Sequence, residues 1–242
     1  MTLLLLAGTG EAKRIAWGLV DSGVPAIASL AGATRSPEPL PLPTRIGGFG
    51  GEAGFEAYLD TAGITAVLDA THPYATQITH RTARVCAVRS MPYLYLLRPP
   101  WLPEAGDNWT EIAAEADAAA HISKTATVFL ATGRQTLDRF ANLEGRRILC
   151  RQIDPPTAPF PFEGGEFIIS RPPFSVEREE RLFAALGVDW LVVKNAGGIE
   201  SRTKLMAARN LSIPVLLLRR PAVPDAPHVA TVQEALEWAK RR

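Results

Sequence analysis

One device recurs three times in this chain: a short apolar strand runs straight into a small polar loop holding glycine or proline, and a helix follows. The first copy is Leu3-Leu4-Leu5-Leu6-Ala7 into Gly8-Thr9-Gly10-Glu11-Ala12. The second is Ala66-Val67-Leu68 into Asp69-Ala70-Thr71-His72-Pro73-Tyr74-Ala75. The third is Trp190-Leu191-Val192-Val193 into Lys194-Asn195-Ala196-Gly197-Gly198. Open α/β sheets bind ligands beyond the carboxyl ends of their strands. Three such loops predict one extended ligand site, or two sites facing each other.

Strand and helix signals alternate along the whole chain. Strands are expected at 2–7, 26–30, 44–46, 65–69, 93–97, 126–131, 147–150, 167–170, 190–194 and 214–219. Helices are expected at 11–22, 52–62, 74–90, 111–121, 134–141, 175–186, 199–210 and 231–241. Several strands are unbroken Val/Leu/Ile runs, as suits strands buried on both faces of a parallel sheet. The alternation predicts an α/β fold of doubly wound parallel sheets. Arg98-Pro99-Pro100-Trp101-Leu102-Pro103 excludes a helix and makes a stiff connector. It divides the chain into residues 1–97 and 98–242. A second proline-rich stretch, 154–162, reads either as a lid or binding loop or as disorder.

Composition narrows the function. At 47% hydrophobic, 242 residues support a sizeable core. No apolar run reaches the ~20 residues of a membrane span. A net charge of +1 argues against a nucleic-acid surface. Cys86 and Cys150 lie in apolar contexts, which predicts no disulfide and a reducing cytoplasm. The excess of 21 Arg over 5 Lys suits forked recognition of carboxylates or phosphates, but a GC-rich genome produces the same bias. Four scattered His without CxxC or HExxH predict no metal site. No GxSxG is present, and no Tyr has a Lys four residues on.

Gly8, Thr9 and Gly10 open the first helix, where free N–H groups and the dipole favour a phosphate. Lys13 stands where a dinucleotide fingerprint has its third small residue, so Ala12 takes the close-packing role. An NAD site carries an acid after its second strand; here none comes before Glu38, while Arg35 suits a 2′-phosphate. NADP is therefore favoured over NAD, the alternative being that Arg35 is a solvated loop residue. Gly47-Gly48-Phe49-Gly50-Gly51 reads as a wall of the cofactor site or as a flexible connector. Thr71 and His72 line the same site, and His72 and Tyr74 are candidate proton donors. A structural reading of His72 and a capping role for Asp69 or Thr71 stand beside that one. In the second half, Thr132-Gly133-Arg134 forms another anion-binding loop. Lys194, Asn195, Gly197, Gly198, Lys204 and Arg220 add groups suited to a substrate with several carboxylates.

These motifs together resemble the precorrin-6A reductase family of cobalamin (vitamin B12) biosynthesis. The resemblance rests on Gly8-Thr9-Gly10-Glu11-Ala12, Ala31-Gly32 with Arg35, the Gly47–Gly51 loop, Asp69–Ala75, Lys194–Gly198, Lys204, Ala207-Ala208-Arg209 and Arg220-Pro221. Ala196 stands where the family often has Ser, and Pro172 where it often has Gly. The resemblance implies two Rossmann-like halves with the active site in the cleft between them, the first holding NADPH and the second the tetrapyrrole. It also implies reduction of one macrocycle double bond of precorrin-6A to give precorrin-6B, with hand-over to neighbouring pathway enzymes as a further possibility. Alternatives are the cobalt-precorrin-6A reductase of the anaerobic branch, an adenosylmethionine-dependent methyltransferase, which Arg35 disfavours, and a non-catalytic tetrapyrrole/NADPH-binding module.

Overall fold

The computed structural model describes residues 2–32, 35 and 37–242. Ala33, Thr34 and Ser36, the immediate neighbours of Arg35, lie outside the described residues. Two compact units form: Met1–Pro99 with Pro221–Arg242, and Pro100–Arg220.

The first unit holds β1 (Thr2–Leu6), α1 (Gly10–Asp21), β2 (Ala26–Leu30), β3 (Thr44–Ile46), α2 (Glu52–Thr61), β4 (Ile64–Asp69), α3 (Thr76–Val88) and β5 (Tyr93–Leu96). The second holds β6 (Trp109–Ile112), β7 (Thr127–Leu130), β8 (Arg147–Gln152), β9 (Gly165–Ile169), α4 (Val176–Leu186), β10 (Trp190–Lys194), α5 (Thr203–Asn210) and β11 (Val215–Leu218). The chain then returns to the first unit with β12 (His228–Val229) and α6 (Val232–Lys240).

All pairings in both sheets are parallel, and the first sheet runs β3-β2-β1-β4-β5-β12. That is the strand order of a dinucleotide-binding fold, with the reversal between β1 and β4. The second sheet runs β9-β8-β7-β10-β11-β6, the same plan with its reversal between β7 and β10. In each sheet the sixth strand comes from outside the run of the other five.

The Leu3–Leu6 run explains itself by alternation. Leu3 and Leu5 pack with Ile15 and Leu19 of α1 and Trp238 of α6. Leu4 and Leu6 face the other way, against Phe55 and Leu59 of α2 and Val85 and Cys86 of α3. With helices on both faces, every position must be apolar. In the second sheet, Phe129, Leu149, Leu191, Val193 and Leu217 pack against Phe183 of α4 and Leu205 of α5.

Several expectations need correction. Residues 221–242 belong to the first unit, not to a second half running from 98 to 242. The reason is that β12 extends the sheet beside β5 (His228 opposite Tyr95), while α6 packs on α1. Gly18 allows this packing, since a Cβ there would meet Leu236 Cδ1 at 2.5 Å. The helix expected at 111–121 begins instead as β6, paired with β11, and continues as a 3-10 segment, Glu115–Ala120. The helix at 134–141 is a 3-10 segment, Arg134–Leu143. The helix expected at 74–90 is shorter, Thr76–Val88, which leaves Tyr74 in the loop with Pro73. The proline-rich stretch is folded: Phe160 lies against Gly165 and packs at a tilt on Phe167, with ring centroids 4.8 Å apart.

Candidate active site

At the reversal in the first sheet, the loops after β1 and β4 are tied together. The Thr9 hydroxyl donates to the carbonyl of Ala70 at 2.8 Å and accepts from the Ala12 N–H at 3.1 Å, capping α1. Gly8 has a φ of +127°, and nothing lies within 4 Å of where its Cβ would be. The backbone over the α1 N-terminus is therefore open to a ligand at Gly8 and at exposed Gly10, while the Ala12 N–H is taken by Thr9. Ala12 is fully buried against the sheet, in the close-packing role expected of it. The Glu11 carboxylate is engaged by Arg98 at 2.5 Å, so only its backbone faces the loop's anion-binding end.

Arg35, after β2, is exposed. Glu38, the first acid after β2, forms an ion pair with Lys13. Next to it in the sheet, β3 leads into the five-residue glycine loop. Gly47, Gly50 and Gly51 take positive φ values of 118°, 75° and 96°, and no atom approaches a Cβ built on any of them or on Gly48. Arg45 shapes this loop, a role that sequence reasoning missed. Its guanidinium donates to Ser29 Oγ at 2.8 Å, to the Gly47 carbonyl at 2.8 Å and to the Gly48 carbonyl at 2.9 Å, and lies 4.0 Å over the Phe49 ring. Phe49 itself packs against Phe55 and Tyr58, so its ring serves the core and its backbone the loop.

Asp69 ends β4 fully buried. It accepts from the Thr71 N–H at 3.0 Å, the Thr71 hydroxyl at 2.7 Å and the Tyr93 hydroxyl at 3.2 Å. Burial raises its pKa despite these bonds, and burial together with the Asp69 charge raises that of Tyr93. Thr71, expected at the cofactor, thus serves Asp69 and holds the loop shape. His72 Nδ1 accepts the Tyr74 N–H at 3.3 Å, which places the proton of the neutral ring on Nε2. The His72 and Tyr74 rings are 5.6 Å apart.

At the reversal in the second sheet, Thr132 and Gly133 (φ +76°) follow β7, and exposed Arg134 opens the 3-10 segment. Lys194 ends β10 and donates from Nζ to the Thr132 carbonyl at 3.0 Å. Burial lowers its pKa, with Glu115 opposing and Arg139 adding to the shift. Asn195 departs from expectation: its Oδ1 accepts the Trp101 N–H at 2.8 Å, and its Nδ2 donates to the Trp101 carbonyl at 3.1 Å. Its carboxamide holds the connector rather than a ligand. Trp101 Nε1 donates to the Gly198 carbonyl at 2.8 Å, and Gly197 and Gly198 both have positive φ. The Arg220 Nε donates to the Asn195 carbonyl at 2.7 Å. Lys204 Nζ donates to the Ser201 carbonyl at 2.6 Å, and burial pushes its pKa down to about 8. Nearby, Arg151 and Glu179 form a buried forked pair at 2.7 and 2.5 Å, which their separation in sequence concealed.

Among the described residues no cluster of His, Cys, Asp and Glu could hold a metal, and no helix is long and apolar enough to cross a membrane.

A family model described as "Precorrin-6x reductase CbiJ/CobK" matches residues 2–240. A "Precorrin-6A reductase" of Rhodococcus erythropolis is 43% identical over 240 residues, covering 98% of this chain and 96% of the relative. A "Cobalt-precorrin-6A reductase" of Priestia megaterium is 24% identical, covering 97% and 96%. A solved structure titled "CobK precorrin-6A reductase" superposes with a TM-score of 0.94 at 42% identity, covering 98% of this chain and 95% of that one.

Proposed function

The chain belongs to the precorrin-6x reductase family, and on that premise we propose that it reduces one macrocycle double bond of precorrin-6A in cobalamin biosynthesis, using NADPH. A reductase of this family calls for a nicotinamide cofactor, and the loops of the first sheet fit a dinucleotide. The observation that carries the reading is the open cradle at Gly8, placed over a capped helix N-terminus at the strand-order reversal. Backbone N–H groups of Gly10 and Glu11 face the pyrophosphate position. Arg35 takes the 2′-phosphate, a role left open by the lack of a free acid after β2. The Gly47–Gly48 backbone, held by Arg45, walls the same site.

When bound, the nicotinamide supplies a hydride; the chain's own residues orient the reactants and hold a proton. Hydride addition to one carbon of the double bond requires a proton at the other. His72 Nε2–H and the Tyr74 hydroxyl are the donors this loop offers. In the second unit, Thr132, Gly133, Arg134, Lys194, Gly197 and Gly198 bind carboxylate arms, with Lys204 and Arg220 supporting that loop. The metal-free substrate is favoured over the cobalt-loaded one because identity is 43% to a precorrin-6A reductase and 24% to a cobalt-precorrin-6A reductase. Free, buried Cys86 and Cys150 support a cytoplasmic setting.

The test is to mix the protein with precorrin-6A and NADPH without oxygen, following NADPH absorbance and the pigment spectrum. Stoichiometric NADPH loss with a two-electron-reduced pigment is expected. Binding of both ligands without NADPH loss would overturn the reading in favour of a carrier; turnover only of the cobalt-loaded pigment would move the enzyme to the anaerobic branch.

A further inference from the structure

Around Lys194 and Thr132, the carboxyl end of the second sheet carries further polar groups, on Gln152 and Thr136, that no role above uses. Leu130 of β7 stands opposite Cys150 of β8, and Val192 of β10 opposite Leu130. Two residues further on, Gln152 at the end of β8 and Lys194 at the end of β10 share one face of the sheet at its ligand-binding end, and Thr132 lies two residues past the end of β7. The 3-10 segment Arg134–Leu143, which carries Thr136, packs against β8. Gln152 is 6% exposed and Thr132 7%. Both polar atoms of the Gln152 carboxamide, the Thr132 hydroxyl and the Thr136 hydroxyl are buried with no hydrogen-bond partner among the described residues. Buried polar atoms are almost always paired. Four orphan atoms on Gln152, Thr132 and Thr136, at the carboxyl end of the second sheet and on the 3-10 segment packed against β8, mark a place built for a ligand group.

We infer that Gln152, Thr132 and Thr136 form a subsite that takes one carboxylate arm of the tetrapyrrole beside the Lys194 ammonium. The inference rests on the substrate reading above. The donor set suits an anion: an amide N–H, two hydroxyls that rotate to donate, and one cation. Glu115, which acts on Lys194, lies 3.8 Å from Arg139 and so is itself charge-balanced. Burial lowers the Lys194 pKa, and an arriving carboxylate would restore it.

The experiment compares the intact enzyme with Gln152→Leu, Gln152→Glu and Thr136→Val. Each is assayed for tetrapyrrole kcat/KM, for NADPH affinity by fluorescence titration, and for Tm. Losing a hydrogen bond to a charged group corresponds to a roughly 10- to 100-fold fall in kcat/KM. Gln152→Leu should show that fall with unchanged NADPH affinity and a Tm equal to or above wild type, because it removes an unpaired amide. Gln152→Glu should fall further by like-charge repulsion. If Gln152→Leu raises Tm and leaves kcat/KM intact, the orphans hold only water and the inference is wrong. If Gln152→Leu misfolds, Thr136→Val decides by the same kcat/KM readout. Failure of wild-type turnover would instead sink the substrate reading itself.

Discussion

Replacing Asn195 by Ala tests whether the lysine–asparagine–glycine loop is a scaffold or a ligand contact at that position. The Asn195 carboxamide makes two bonds to the Trp101 backbone, 2.8 Å from its N–H and 3.1 Å to its carbonyl. Asn195 is 6% exposed and Trp101 5%, so water cannot substitute for the lost amide. The variant leaves a buried N–H and a buried carbonyl unpaired. Each orphan costs about 1–3 kcal/mol, for a total of about 2–6 kcal/mol. At about 3 °C per kcal/mol for a chain of this size, Tm should fall by about 6–18 °C in a ligand-free thermal melt followed by circular dichroism. Asn195→Asp should be at least as damaging at neutral pH. It keeps the acceptor for the Trp101 N–H but sets a carboxylate oxygen against the Trp101 carbonyl. A Tm shift under about 2 °C together with a tenfold rise in tetrapyrrole KM would refute this reasoning. The amide would then belong to the substrate.

Three further outcomes are expected. Arg35→Asp should weaken NADPH binding far more than NADH binding, measured by fluorescence titration; equal weakening would remove Arg35 from phosphate recognition. Glu179→Gln strips the charge partner from Arg151 inside the second unit, where the two side chains are 1% and 8% exposed, and should cost about 3–5 kcal/mol in urea denaturation. An unchanged midpoint would mean that solvent reaches the guanidinium. Burial pushes the Cys86 and Cys150 thiols up to about 12, so at pH 8 the native protein should resist iodoacetamide and react only once unfolded. Rapid labelling of the native protein would contradict the packing around both.

Much of this was legible in the sequence because its main strands are unbroken apolar runs that end in punctuation. Leu3–Leu6, Ala66–Leu68 and Trp190–Val193 could hardly lie anywhere but in the middle of doubly covered sheets, and each sits next to a reversal. What failed was local signal too short to compete. Trp109-Thr110-Glu111-Ile112 has no clear alternation and merges into the alanine-rich stretch after it, so the helix expected from residue 111 took in the end of β6. The two residues of β12 are set by the sheet edge they join rather than by their own propensity. The proline connector marks where the chain leaves the first unit, and Pro221, Pro224 and Pro227 mark in the same way where it comes back, a signal that sequence reasoning missed. At the site, glycine spacing placed the loops correctly, whereas side-chain occupancy was hidden. Nothing near Asn195 in sequence points to Trp101, nor anything near Arg151 to Glu179. Arg45 is the exception, since an arginine just before Gly47-Gly48-Phe49 is a readable sign of a clamped glycine loop.

The return of β12 and α6 to the first sheet fixes an order of events during translation. The unit that emerges first from the ribosome is the one that finishes last, because Trp238 and Ala239 cover Ile15 and Leu19 only after the whole of Pro100–Arg220 has been made. Until then β5 stands as an open edge and α1 lacks its neighbour, the kind of surface that recruits chaperones or sticks to other nascent chains. The second unit, continuous in sequence, can close while the first still waits. A chain that stops short of Pro221 therefore contains all of the second unit and lacks part of the one synthesised first.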